Sequence, residues 1–190
     1  MLRRPLPTLE TTMNNLTYTF SVEAFVPVLK SLAHILDKGA EHARAAKADP
    51  DTLADARLAP DMFPLSTQVQ FACHQAREAG ARLSGREAPT LKRDEQMSFH
   101  AMKLLIEETI EELEGLSAKS FEGGDTRKIE FVLGGTVTFE ANGLQFLRDW
   151  ALGHFYFHVV TAYDILRHKG VELGKRDYMS HVGPYIRGVG

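Results

Sequence analysis

At 190 residues the chain has the length of one domain and can bury a substantial core without disulfide or metal staples. Apolar residues make up 44% and charged residues 25%, the net charge is −3 and the pI is near 6.2. That balance argues against nucleic acid as a main partner, because phosphate binding needs clustered Lys and Arg.

The single cysteine, Cys73, excludes an internal disulfide. It fits a reducing, cytoplasmic setting and is expected to be a small buried thiol. The opening stretch, MLRRPLPTLETTMNNLTYTF, has two arginines but no apolar segment behind them, so it reads as neither signal peptide nor anchor. Residues 1–17 are taken as an N-terminal extension, with Met13 an alternative start, and 18–190 as a single domain. No run reaches the ~18 apolar residues of a membrane span. The nearest approach, 150–166, is punctuated by His154, His158 and Asp164 and closed by Arg167 and His168.

In chain order, Phe25, Val28, Leu29, Leu32, Ile35 and Leu36 recur at helical spacing and predict a first helix over 19–46, with Pro27 near its start. A long connection follows with Pro50, Pro60 and Pro64; Leu53, Leu58, Met62 and Phe63 suggest that it packs down. Ser66 is expected to cap a second helix running to about Ser84. A third is expected to open near Asp94 and to run to Glu114, its stripe formed by Phe99, Met102, Leu105, Ile106, Ile110 and Leu113. The period then changes: 128–133 and 136–140 alternate around Gly134-Gly135, a hairpin signal. Asn142 caps a fourth helix, 143–168, ended by Gly170. The tail has no clear period. The long loop between the first two helices is expected to be a crossover connection, and the pattern predicts an all-α four-helix bundle with a small β-hairpin between helices 3 and 4.

The fourth helix carries the main chemical signal. His154 and His158 lie four apart, on one helical face, the geometry by which two imidazoles grip one ion. On a helical wheel they share a stripe with Leu147, Trp150, Thr161 and Ile165, while Phe155, Tyr156 and Phe157 make the helix apolar nearly all round. Such a helix is central or lies at a subunit interface. A metal needs a third ligand. His74, the obvious candidate, falls opposite the apolar face of its helix, among Thr67, Gln70, Arg77 and Glu78, as a solvated histidine would. Gln68 and Gln75 lie nearer that face. His34, His100, His42, His168 and His181 read as surface positions, and Glu107, Glu108, Glu111, Glu112 and Glu114 as a solvated acidic face.

The segments ARLAPDMFPLSTQVQ and ACHQA, the Gly-Gly hairpin, and FYFHVVTAYDILRHKGVELGKRDY resemble a bacterial domain-of-unknown-function family in the DinB/YfiT-like helical-bundle superfamily. The resemblance covers about residues 18–178. It implies an up-down-down-up four-helix bundle, often a homodimer. It also implies, for the metal-bearing members, a divalent ion (zinc or nickel) held by one histidine of the second helix and an HxxxH pair of the fourth. Carried onto this chain, the set is His74, His154 and His158. Some members transfer low-molecular-weight thiols.

Two readings stay open. One is a bundle that is metal-free, or has a degenerate metal site, and binds a small molecule or a partner subunit through the aromatic fourth helix. The other is a divalent-metal-dependent enzyme, of thiol-transferase or hydrolase type, using the three histidines. In the second, Tyr163, Asp61 or Thr161 would orient the ligands.

Overall fold

The computed structural model describes residues 15–95 and 97–188. Most of the expected extension, with Met13, lies outside them. Helix α1 spans Leu16–Ala45, starting earlier than the periodicity placed it, and Thr17 is already buried. Helix α2 spans Leu65–Leu83 and α3 spans Phe99–Glu114. Strands β1 (Lys128–Leu133) and β2 (Val137–Asn142) pair antiparallel. Helix α4 fills residues 143–168, and α5 (Lys175–Tyr178) is a single turn in the tail.

Cross-helix contacts set the topology. Asp37 meets Lys103 and Lys30 meets Glu114, so α1 and α3 run antiparallel. Phe25 stacks on Phe155, and the Leu166 side chain abuts Gly39, so α1 and α4 run parallel. Gln68 meets His158 and Leu83 abuts Gly143, so α2 opposes α4. Directions are therefore up, down, down, up. Two parallel neighbours, α2 and α3, force the chain to return along their length, so the crossover is the segment between them, with residues 84–95, 97 and 98 described, and not the long loop between α1 and α2, which joins two antiparallel helices. The core includes the fully buried Phe25, Leu29, Leu32, Ile35, Leu65, Val69, Ala76, Met102, Ile106, Phe146 and Phe155. Helix α1 is long and apolar enough to cross a membrane by length and composition, but its apolar stripe is spent on this core.

The starts of α2 and α3 differ from expectation. Helix α2 begins at Leu65 behind Pro64, and the Ser66 hydroxyl caps nothing. Helix α3 begins at Phe99: Ser98 accepts from Ala101 N at 3.1 Å and Asp51 accepts from Phe99 N at 2.7 Å. Asp94, expected to open α3, is held in the return segment by Gln70, whose amide accepts from Asp94 N (2.7 Å) and donates to Asp94 O (2.8 Å). The hairpin turn takes three residues, 134–136, closed by Thr136 N to Leu133 O, with Gly134 and Gly135 at φ +56° and +79°. Asn142 and Gln145 form a reciprocal capping box at the start of α4, as Asn142 led one to expect. The tail is less featureless than its sequence: Asp177 ties it to α1 through Lys38 (3.0 Å) and His34 (3.3 Å). In the long connection Leu53 packs down, whereas Leu58 and Phe63 stay exposed.

Candidate functional site

One edge of α2 carries Gln68, Gln75 and Arg82, spaced by seven residues and so stacked along the helix. At one end Gln68 meets His158 of α4. At the other the Arg82 guanidinium lies 4.2 Å over the ring of Phe131 on β1 and pairs with Glu78 at 2.9 Å. Gln75 sits midway, 9% exposed, and its Oε1 has no hydrogen-bond partner among the described residues. The antiparallel register puts it level with the turn of α4 that carries Ala151 and His154.

Helix α4 does not present its histidines as the wheel placed them. Residues 147–151 form a π turn; Ala151, Phe155, Val159, Ala162, Ile165 and Leu166 form the core stripe, with Leu147 and Thr161 also buried as the wheel placed them. His154 and His158 are half-buried beside that stripe, on the edge facing α2. Their ring centroids are 6.5 Å apart. Trp150, in the π turn, meets His154 edge-on at 4.2 Å, and its buried Nε1–H also lacks a partner among the described residues. Phe71 tilts over His158 at 4.9 Å, Phe63 abuts Phe71 at 5.3 Å, and Phe157 meets His158 edge-on at 5.3 Å. The two histidines thus stand in an aromatic row.

The tautomer of His158 follows from its neighbours. The Gln68 amide nitrogen donates to the Phe63 carbonyl at 3.1 Å, and a carbonyl only accepts. Gln68 Oε1 is therefore the atom facing His158 Nδ1 at 2.8 Å. An amide oxygen also only accepts, so Nδ1 carries the proton and Nε2 keeps its lone pair. Burial, reinforced by the neighbouring His154, pushes the His158 pKa down to about 4. Burial also lowers that of His154, partly opposed by Glu78. Both rings are neutral at pH 7.

His74 does not join them. It lines a separate cavity with Gln70, Arg77 and Leu105, beneath the return segment. It is not the solvated histidine the wheel suggested either: the face it shares with Thr67, Gln70 and Glu78 is buried, and Pro89, Thr90, Leu91 and Lys92 of the return segment line the cavity around it. Burial lowers its pKa as well. Among the described residues no group of three or more His, Cys, Asp or Glu side chains is gathered in a way that could hold a metal ion. The three-histidine set does not fit this geometry. Its suggested helpers are otherwise engaged or placed: Thr161 donates to Phe157 O at 2.7 Å, Tyr163 packs edge-on against Tyr178, and Asp61 is exposed. Cys73 is buried, as expected, with its thiol pushed up to about 12 by burial. The helical wheel puts Gln68 and Gln75 only near the apolar face and gives Phe71 no role. The spacing of Gln68, Gln75 and Arg82 is the signal that could have found this edge.

A family model described as "Domain of unknown function (DUF1993)" matches residues 17–179. The crystal structure of a DinB family member protein from Shewanella denitrificans is similar, with a TM-score of 0.79 and 36% sequence identity. The similarity covers 88% of this chain and 94% of that one. No curated protein matches the chain.

Proposed function

The chain belongs to the DUF1993 family and has the DinB-like helical fold, and on that premise we propose that it is a small-molecule-binding bundle whose site is the edge between α2 and α4. The observation that carries this reading is the relay from the Phe63 carbonyl through Gln68 to His158, which holds a neutral imidazole with Nε2 as an acceptor. Gln75 Oε1 and Trp150 Nε1–H add one buried acceptor and one buried donor beside His154. Leaving such groups unpaired costs about 1–3 kcal/mol each. A ligand that carries both a donor and an acceptor relieves these two, and one that also donates to Nε2 is held by the oriented imidazole. Phe71, Trp150 and Phe157 supply flat apolar walls for the rest of it.

A second reading, a divalent-metal-dependent enzyme, is favoured by one observation: the 6.5 Å spacing of two neutral imidazoles on successive turns. Its third ligand would have to come from something other than His74. Elemental analysis of untagged protein beside a His158→Ala variant separates the two. About one equivalent of zinc or nickel, lost in the variant, overturns the metal-free reading. Absence of metal in both, with thermal-shift hits among small neutral compounds that disappear in His158→Ala but persist in His34→Ala, supports it. Self-association is a further part of the proposal. Phe157 and Val160, 58% and 39% exposed on α4, are the apolar surface that supports a homodimer, and light scattering on the purified protein tests it.

A further inference from the structure

We infer that the cavity under the return segment is a second binding site, for a small carboxylate with an apolar body. The topology makes this cavity. Because α2 and α3 run parallel, the return segment crosses back over the groove between them, and a space of about 220 Å³ remains beneath its described residues. Its roof is held at two points: Gln70 grips Asp94 by both amide atoms, and the Arg93 guanidinium rests 5.5 Å over the Phe63 ring.

The lining has one electrostatic sense. Pro89, Leu91, Met97 and Leu105 give an apolar pocket, Thr90 a hydroxyl, and Arg77 and Lys92 two cations, with no carboxylate among the lining residues. Arg77 is oriented from α3 by Glu112 at 2.8 Å and Glu108 at 3.7 Å, so its charge is largely balanced at the rim. Lys92 makes no ion pair among the described residues and is the uncompensated cation. The Gln70 amide is consumed by the roof. The groups left to meet a ligand are a cation, a hydroxyl and the His74 imidazole, over an apolar floor. A neutral apolar molecule would gain nothing from Lys92, which is exposed, and an ammonium would be repelled by it. A carboxylate at the Lys92 end, its hydrocarbon on Met97 and Leu105, satisfies both halves, and the volume suits a body of benzoate size.

The probes are benzoate and, as a charge-reversed isostere, benzylamine, titrated into the full chain while the His74 ring protons are followed by NMR. Benzoate is expected to give saturable shifts at His74 and benzylamine none. Lys92→Glu, at an exposed position, should weaken benzoate by tenfold or more while circular dichroism stays unchanged. His158→Ala should leave benzoate binding intact, since His158 does not line this cavity. Equal responses to both probes, linear shifts that never saturate, or an unaltered benzoate response in Lys92→Glu would overturn the inference.

Discussion

Phe25 of α1 and Phe155 of α4 stack with ring centroids 4.0 Å apart and planes 26° apart, both fully buried. The contact fixes the rotation of α4 about its own axis. Phe155 follows His154 directly, so seating its ring in the core turns both histidines toward α2.

Replacing Phe155 by Ala should therefore act on stability and site together. A loss of about 3–5 kcal/mol is expected from the cavity, read from urea unfolding. Phe155→Leu should cost much less and preserve the His158 NMR signals. A Phe155→Ala protein as stable as the parent would show that the stack does not anchor α4.

The Gln68–His158 bond makes a spectroscopic prediction. Nitrogen-15 NMR should find His158 as the Nδ1–H tautomer at pH 7. Gln68→Glu places a negative charge beside that proton and should raise the His158 pKa from about 4. An unchanged titration would mean that the two side chains do not meet in solution.

His158 also predicts a pH dependence of stability. Its pKa is lowered from 6.5 to about 4 on folding, so between those values the unfolded chain holds a proton that the folded chain refuses. Stability should fall as the pH drops from 6.5 towards 4, with proton uptake on unfolding in that window. His154 and His74 shift in the same direction and add to the slope. Denaturant midpoints measured across this range should flatten in His158→Gln. A parent protein with a level profile would contradict the buried, neutral imidazole.

At the base of the bundle, a Cβ on Gly143 would lie 1.7 Å from the Gly124 carbonyl oxygen. No side-chain motion relieves a clash with backbone. Gly143→Ala should lower the denaturant midpoint by an amount worth about 2 kcal/mol or more, whereas Gly153→Ala, where a Cβ meets nothing within 4 Å, should be neutral or stabilising.

Much of this architecture is legible in the residues. The 3.6 spacing of Leu29, Leu32, Ile35 and Leu36, and of Met102, Ile106 and Leu113, marks core faces that the structure buries. Asn142 and Gly134-Gly135 mark a cap and a turn by their own conformational chemistry. Asp94 misled because its polar backbone and side chain suit a helix start, yet Gln70, twenty-four residues earlier in sequence, claims that backbone. His74 misled in a different way. Its wheel position does turn it from the core, but a wheel shows one helix at a time and cannot see a covering segment. Leu147, Thr161 and Ile165 are buried as the wheel implies, but the histidines lie at the edge of that stripe, because Phe155, Tyr156 and Phe157 leave the hydrophobicity of α4 almost without direction. The stack with Phe25, a tertiary contact, decides which of them points in.

The π turn at 147–151 lets the histidine edge keep its place although the chain carries one extra residue before it. Such a turn takes up one residue more than the α-helical turn it replaces, over about the same rotation. Deleting a single residue there would let α4 relax to regular helix and leave all that follows in about the same phase relative to the hairpin. Phe155 would keep its seat against Phe25, whereas deleting Gly153, in regular helix, would turn both histidines by about 100° relative to the hairpin. In this fold the phase between hairpin and histidines depends on where a residue is gained or lost, and the π turn is the place that tolerates the change.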